Sequence, residues 1–255
     1  MKPSLLEETL HLLRASNLNV IAKQFERWCR SPANVHKSHV ELMHTLMVAH
    51  DHTKRSGRMD RFITRAGFSS TVSINNVWTH PGRGLTPRML ANLATCAWVD
   101  NGSTLVIAGD HSVGKSFLAA ALAREAALTR PGVHYRVLSK LLAELDDDDR
   151  NVKKIMGQLR RARLLVLDHF AEDVVSEKHG TLLRDLLDAR KDKLATIIVS
   201  AKPFDEWSLA FENAGTGEAV AHRVFGGDAT IITLRTDKKT LPTKKCRRAI
   251  GKPFR

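Results

Sequence analysis

Along residues 104–234, short and nearly continuous apolar runs alternate with stretches of helical periodicity. The runs fall at 104–108, 134–138, 164–167, 196–200 and 229–234. A strand that is apolar at successive positions is buried on both faces, as in a parallel sheet covered by helices. Strands alternating with helices predict a doubly wound α/β domain with a five-stranded parallel sheet. Upstream the pattern is helical. Leu6, Leu10 and Leu13 recur at steps of three and four, and so do Val40, Met43, Leu46 and Met47. Ser31-Pro32 interrupts the two helical stretches, and Ser38 with Glu41 spells a capping box for the second. Residues 67–87 turn irregular and polar, with Pro81, Gly82, Gly84 and Pro87, before a helix bearing Leu90, Leu93, Ala94, Ala97 and Trp98.

Charge adds a partner to this outline. Lys and Arg number 40 against 27 Asp and Glu, a formal net charge of +13. Self-repulsion on this scale opposes folding and makes sense for a chain that meets a polyanion, most often nucleic acid. The charge is concentrated in two places. Lys54, Arg55, Arg58, Arg61 and Arg65 have Asp60 as their acidic relief, and the last three share one helix face. Lys238, Lys239, Lys244, Lys245, Arg247, Arg248, Lys252 and Arg255 follow the last apolar run with Asp237 alone against them. The chain thus divides into a helical N-terminal domain for DNA or partner binding (1–66), a linker (67–87), a nucleotide domain (88–235) and a basic tail (236–255). Hydrophobic residues make up 43% and charged residues 26%, the balance of a folded globular protein. No run reaches the ~18 apolar residues of a membrane span, and Glu7, Glu8 and His11 break the start as a signal peptide, so a cytoplasmic location is expected. Cys29, Cys96 and Cys246 lack the spacing of a metal site or a disulfide framework.

The chemistry enters at Gly109-Asp110-His111-Ser112-Val113-Gly114-Lys115-Ser116, which fits G-x-x-x-x-G-K-[ST] at every required position. Glycines let the backbone fold back so that several N–H groups converge on one phosphate. Lys115 offers a point charge to the β- and γ-phosphates of ATP, and Ser116 a hydroxyl to Mg²⁺. The motif follows an apolar strand and opens the alanine-rich helix 117–127, whose N-terminal dipole favours the same anion. The run at 164–167 ends in Asp168, which delivers a carboxylate to the metal at the same sheet edge. Lys115 and Asp168 are the expected catalytic residues, Ser116 and Asp168 the expected metal ligands, and 109–116 the expected ATP cradle.

With these motifs the sequence resembles the IstB/DnaC-like AAA+ ATPases, in particular the IstB-type transposition helper proteins. The resemblance runs through nearly the whole chain. It takes in the Arg-rich turn before Ala66-Gly67-Phe68, Trp98, the GDHSVGKSFLAAALA and LLVLDHF segments, Leu187 to Arg190, the strand ending Val199-Ser200, and Pro203-Phe204-Asp205-Glu206-Trp207. It implies a P-loop AAA+ core behind a small helical domain, and an ATPase that assembles on double-stranded DNA through ATP-driven self-association and directs a transposase. The helicase-loader branch would serve a replicative helicase instead. Arg223 aligns with the family's D-R-L arginine, which implies an arginine finger reaching a neighbouring subunit's γ-phosphate.

The chain departs from that pattern at His169, at Ala201 and at its end, where Arg235-Thr236-Asp237-Lys238 replaces a terminal G-x-S-x-R. His169 follows Asp168 where the family places an acidic residue, and a neutral imidazole adds no negative charge there. Glu172 and Asp173 are the nearest acids that could replace it. Ala201 stands where an Asn or Gln senses the γ-phosphate, leaving Ser200 as the remaining donor. The expectation is an ATPase slowed by these changes, or a nucleotide-gated scaffold that binds without cleaving. A small-molecule kinase also starts from a P-loop, but the basic segments and the 203–207 piece argue against it.

Overall fold

The computed structural model describes residues 4–66, 72–227 and 229–236, without the side chains of 58–66. The arginine face at 58–65 and the basic tail from 237 onward therefore lie outside the described residues. The chain forms two compact units, Met1–Asp60 and Arg61–Arg255.

The first unit is helical. Helix α1 (Leu5–Ala15) begins at a capping box in which Ser4 and Glu7 bond reciprocally. It gives way to α2 (Asn19–Arg30) at Asn17, which adopts φ 58°. The long α3 (His39–Ala66) starts at the expected box, with Ser38 N donating to Glu41 Oε2 at 2.8 Å and Glu41 N donating to Ser38 Oγ at 3.2 Å. Leu10, Ala22 and Leu46 are its buried apolar positions among the described residues. Arg55 pairs with Asp51 one turn earlier, at 2.7 Å.

In the second unit α4 (Pro87–Ala94) and α5 (Ala97–Asp100) precede the sheet and break apart at Cys96, φ 55°. Five strands then alternate with helices: β1 (Thr104–Gly109), α6 (Lys115–Thr129), β2 (Val133–Val137), α7 (Leu138–Glu144), α8 (Asp149–Arg161), β3 (Leu164–Asp168), α9 (Glu177–Arg190), β4 (Ala195–Ser200), α10 (Ala214–Phe225) and β5 (Thr230–Leu234). The sheet is parallel throughout, in the order β2-β3-β4-β1-β5. The predicted five-stranded parallel sheet is present, and each strand begins within one residue of its apolar run.

Every residue of β3 and β4 is buried, because a hydrophobic core covers each face of the sheet. One core contains α6, whose Leu118 to Ala123 are wholly inaccessible. A helix buried all round needs a second cover, and residues 72–99 supply it: Val72, Val77, Leu85 and Val99 join the same cluster. From Val72 onward, the polar stretch before α4 is thus packed into this unit. Proline and glycine set its turns, and its few apolar side chains anchor it. The other core gathers α7 to α10 with Phe170 and Trp207. Because the strands are parallel, the residues that follow β1, β3 and β4 emerge at one edge of the sheet.

Candidate nucleotide site

The loop from β1 to α6 is shaped by three residues in the left-handed region: Gly109 (φ 133°), Ser112 (φ 63°) and Gly114 (φ 88°). At Gly109 a Cβ would overlap the Leu234 carbonyl of the neighbouring β5, so the close approach of these strands requires glycine. At Gly114 a Cβ would lie 2.7 Å from an Arg83 guanidinium nitrogen. Gly114 is also the N-cap of α6 and supplies no side chain to the first-turn N–H groups. Such groups bind anions, with the helix dipole acting in the same direction.

Lys115, the first residue of α6, is buried, and its Nζ donates to the Asp110 carbonyl at 2.8 Å. The ammonium therefore lies back along the loop it follows. Burial lowers its pKa against the opposing charges of Glu172, Asp168 and Asp110. Ser116, one residue on, donates its hydroxyl to Asp168 Oδ1 at 3.0 Å. The two residues expected to share a metal are thus in contact across 52 positions of sequence. Hydroxyl and carboxylate oxygens are the hard donors that suit Mg²⁺, which protein sites hold through one or two such groups together with phosphate oxygens. Among the described residues no group of three or more His, Cys, Asp or Glu forms a metal cage of its own.

Asp168, 2% exposed at the end of β3, has both oxygens occupied. Oδ1 also accepts from His169 N at 3.0 Å, and Oδ2 accepts from the Tyr135 hydroxyl on β2. Burial alone would push this carboxyl up; hydrogen bonds from His169, Tyr135 and Ser116 and the charge of His169 outweigh it and hold the pKa below the usual carboxylate range. Tyr135 is shifted well upward by its burial and by the adjacent carboxylate. It stays a neutral donor. No motif marked it; the register of Val137 against Asp168 on paired strands brings the tyrosine beside β3.

His169 adopts φ 58° and keeps its ring half exposed, with Nδ1 3.3 Å from Asp168 Oδ2. Its hydrogen bond to Asp168 raises its pKa, against partial burial. Glu172 turns toward β4, where Oε1 accepts from Ala201 N at 3.1 Å. It thereby reaches Ala201, one of the positions at which the sequence departs from the family pattern. Ser200 does not take the role of donor to a ligand. It is wholly buried, and its hydroxyl donates to the Phe170 carbonyl at 2.7 Å. The 203–207 segment backs the same loop: Trp207 packs its ring 4.8 Å from that of Phe170 and donates Nε1 to the Lys202 carbonyl.

Arg223 stands apart from this cluster. On α10 its Nε donates to Asp188 Oδ1 of α9 at 3.0 Å, and its Nη1 to the Ala219 carbonyl at 2.9 Å. Within one chain its hydrogen bonds go to α9 and α10, not to the phosphate loop.

Among the described residues no helix is long and apolar enough to cross a membrane. The family model for IstB-like ATP binding proteins matches residues 11–245. The chain is similar to the insertion sequence ATP-binding protein y4pL of Sinorhizobium fredii (strain NBRC 101917 / NGR234), at 25% identity over 218 residues, or 85% of this chain and 89% of that protein. Among solved structures it is similar to the DnaC helicase loader, with a TM-score of 0.52, 17% identity and coverage of 65% of this chain and 97% of that one. It is also similar to AMPPCP-bound DnaA from Aquifex aeolicus, with a TM-score of 0.52, 17% identity and coverage of 64% and 50%. At these identities the two structures bear on the fold alone, a parallel α/β sheet covered by helices on both faces.

Proposed function

The chain belongs to the IstB-like ATP binding protein family, and from that premise we propose that it is an ATP-dependent accessory protein of DNA transposition, assembling on duplex DNA and directing a transposase. The observation that carries the nucleotide part is the contact of Ser116 with Asp168 at 3.0 Å beside the open N-terminus of α6. The loop amides of 109–116 bind the phosphates of ATP, Lys115 neutralises their charge, and Ser116 and Asp168 hold Mg²⁺. Bound Mg²⁺ supplies Lewis-acid stabilisation of the triphosphate. Tyr135 and His169 N keep Asp168 ionised and oriented for that task. The formal charge of +13 supports the DNA partner.

Arg223 acts between subunits in this reading. Its pairing with Asp188 holds it ready on α10 until a second copy presents its own phosphate loop. Turnover is slow, because His169 replaces an acidic group beside Asp168 and Ser200 faces inward. A scaffold that binds ATP without cleaving it is the second reading, favoured by the same two observations.

Electron microscopy with duplex DNA, with and without ATP, tests the proposal. Nucleotide-dependent filaments or rings are expected from the unmutated protein and none from Lys115→Ala. Assembly that is identical with and without ATP, or absence of ATP binding, would remove the nucleotide from the function. Brisk phosphate release by the unmutated protein would eliminate the scaffold.

A further inference from the structure

Arg83 lies in the polar stretch ahead of α4, is 6% exposed, and matches no motif of the P-loop. Its side chain reaches the floor of the phosphate loop. One terminal nitrogen, Nη2, donates to the Val113 carbonyl, and the other, Nη1, to the Trp78 carbonyl. The guanidinium carbon lies 5.0 Å from the centroid of the Trp78 ring. Among the described residues it pairs with no carboxylate, and burial alone acts on its pKa, lowering it. A guanidinium nonetheless stays charged in proteins. The result is a buried cation, unpaired with any carboxylate among the described residues, directly beneath the loop.

The backbone that carries Arg83 is fixed as firmly as the side chain. His80 caps the short 3₁₀ turn Pro81–Arg83, its Nδ1 accepting from Gly82 N at 3.1 Å. An isolated bridge joins His80 to Leu85, and Arg235 N, just past β5, donates to the Arg83 carbonyl at 2.9 Å. At Gly84, φ 83°, a Cβ would overlap the Thr233 carbonyl, so this turn is pressed against β5. Thus β5 holds the turn, the turn aims the guanidinium, and the guanidinium holds Val113 and fills the space left by the missing side chain of Gly114.

We propose that Arg83 is a positioning residue for the phosphate loop: it fixes the Val113 carbonyl toward the protein, so that the neighbouring amides face the ligand, and it sets a positive charge beneath the triphosphate. The proposal rests on the reading of 109–116 as an ATP site. Anchoring a carbonyl inward keeps it from turning its partial negative charge on the phosphates. Without the anchor the competent loop is one conformer among several, and apparent affinity falls by the fraction of time it is populated.

Two measurements test this: the Kd for ATP, and amide exchange across 109–116 in the nucleotide-free protein. Arg83→Met retains most of the apolar volume and removes both donors and the charge. It is expected to weaken ATP binding by about tenfold or more, and to speed exchange in the loop while β3 and α9 keep their protection. A Kd within about twofold of the unmutated protein, or faster exchange spread evenly over the domain, would overturn the proposal. Should Arg83→Met fail to fold, Arg83→Lys carries the test. It keeps the charge but not the fork, and about threefold weaker binding is expected; unchanged affinity overturns the proposal. If the unmutated protein binds no ATP, the site reading fails, while the exchange measurement still judges the hold of Arg83 on the loop.

Discussion

Asp168 and His169 are consecutive residues with opposed situations. The carboxylate is buried and receives hydrogen bonds from Ser116, Tyr135 and the His169 amide, whereas the His169 ring projects half exposed at φ 58°. A neutral imidazole there adds no negative charge for an attacking water or a metal, its bond to Asp168 favours the protonated form, and Glu172, bonded to Ala201 N, is turned toward β4. His169→Glu is therefore expected to raise ATP turnover by about tenfold or more, toward the lower range of a well-placed general base. Phosphate release with Mg²⁺ and duplex DNA measures it, and an unchanged rate would mean that the limit lies in another step. At this scale the sequence was legible wherever neighbours act together, as at Gly114-Lys115-Ser116. It was silent where a partner arrives from another element with no motif to mark it. Tyr135 reaches Asp168 through strand pairing, and Arg83 reaches Val113 from 30 residues upstream. The inward turn of the Ser200 hydroxyl depends on the path of the loop at Phe170, which no pattern of residue types records.

The strands were legible because a parallel sheet covered on both faces leaves an unbroken apolar run, and those of β3 and β4 admit little else. Helix breaks were harder to read. Asn17 and Cys96 end helices in the left-handed region without glycine or proline to mark them. Also unannounced was the way α8, α9 and β4 are joined. Arg190, at the C-terminus of α9 and 1% exposed, donates to the carbonyls of Leu159, Ala162 and Ala195 and to the Thr196 hydroxyl. One side chain thereby serves both the buried end of α8, where Leu159 O also accepts from Ala162 N at 3.3 Å, and the start of β4. Arg190→Leu removes the side-chain donor from all three and leaves Leu159 with its backbone donor alone, so a loss of about 2 kcal/mol or more is expected in urea unfolding, given ~1–3 kcal/mol for each unsatisfied group. A loss below about 1 kcal/mol would mean that water takes over those bonds. ATP affinity of the folded variant should stay unchanged, since none of these groups borders the phosphate loop.

For the whole molecule, the surplus of basic residues gives a prediction independent of any single contact. Binding to duplex DNA through phosphates releases counterions, so the logarithm of the affinity should fall linearly with that of salt. With six or more phosphates engaged, the loss between ~50 and ~200 mM salt should reach about a thousandfold. Fluorescence anisotropy on a duplex of arbitrary sequence measures this, and an affinity indifferent to salt would remove the electrostatic basis of the DNA partner. The bond from Arg235 N to the Arg83 carbonyl has a consequence at this scale too. It fastens the strand that leaves the sheet to the turn that leads into it, and both meet under the phosphate loop. The end of β5 and the turn that holds Val113 are thereby one joined piece at the floor of that loop. On the proposed reading, in which the basic segments flanking this domain meet DNA, contact with DNA and the grip on the triphosphate share one footing.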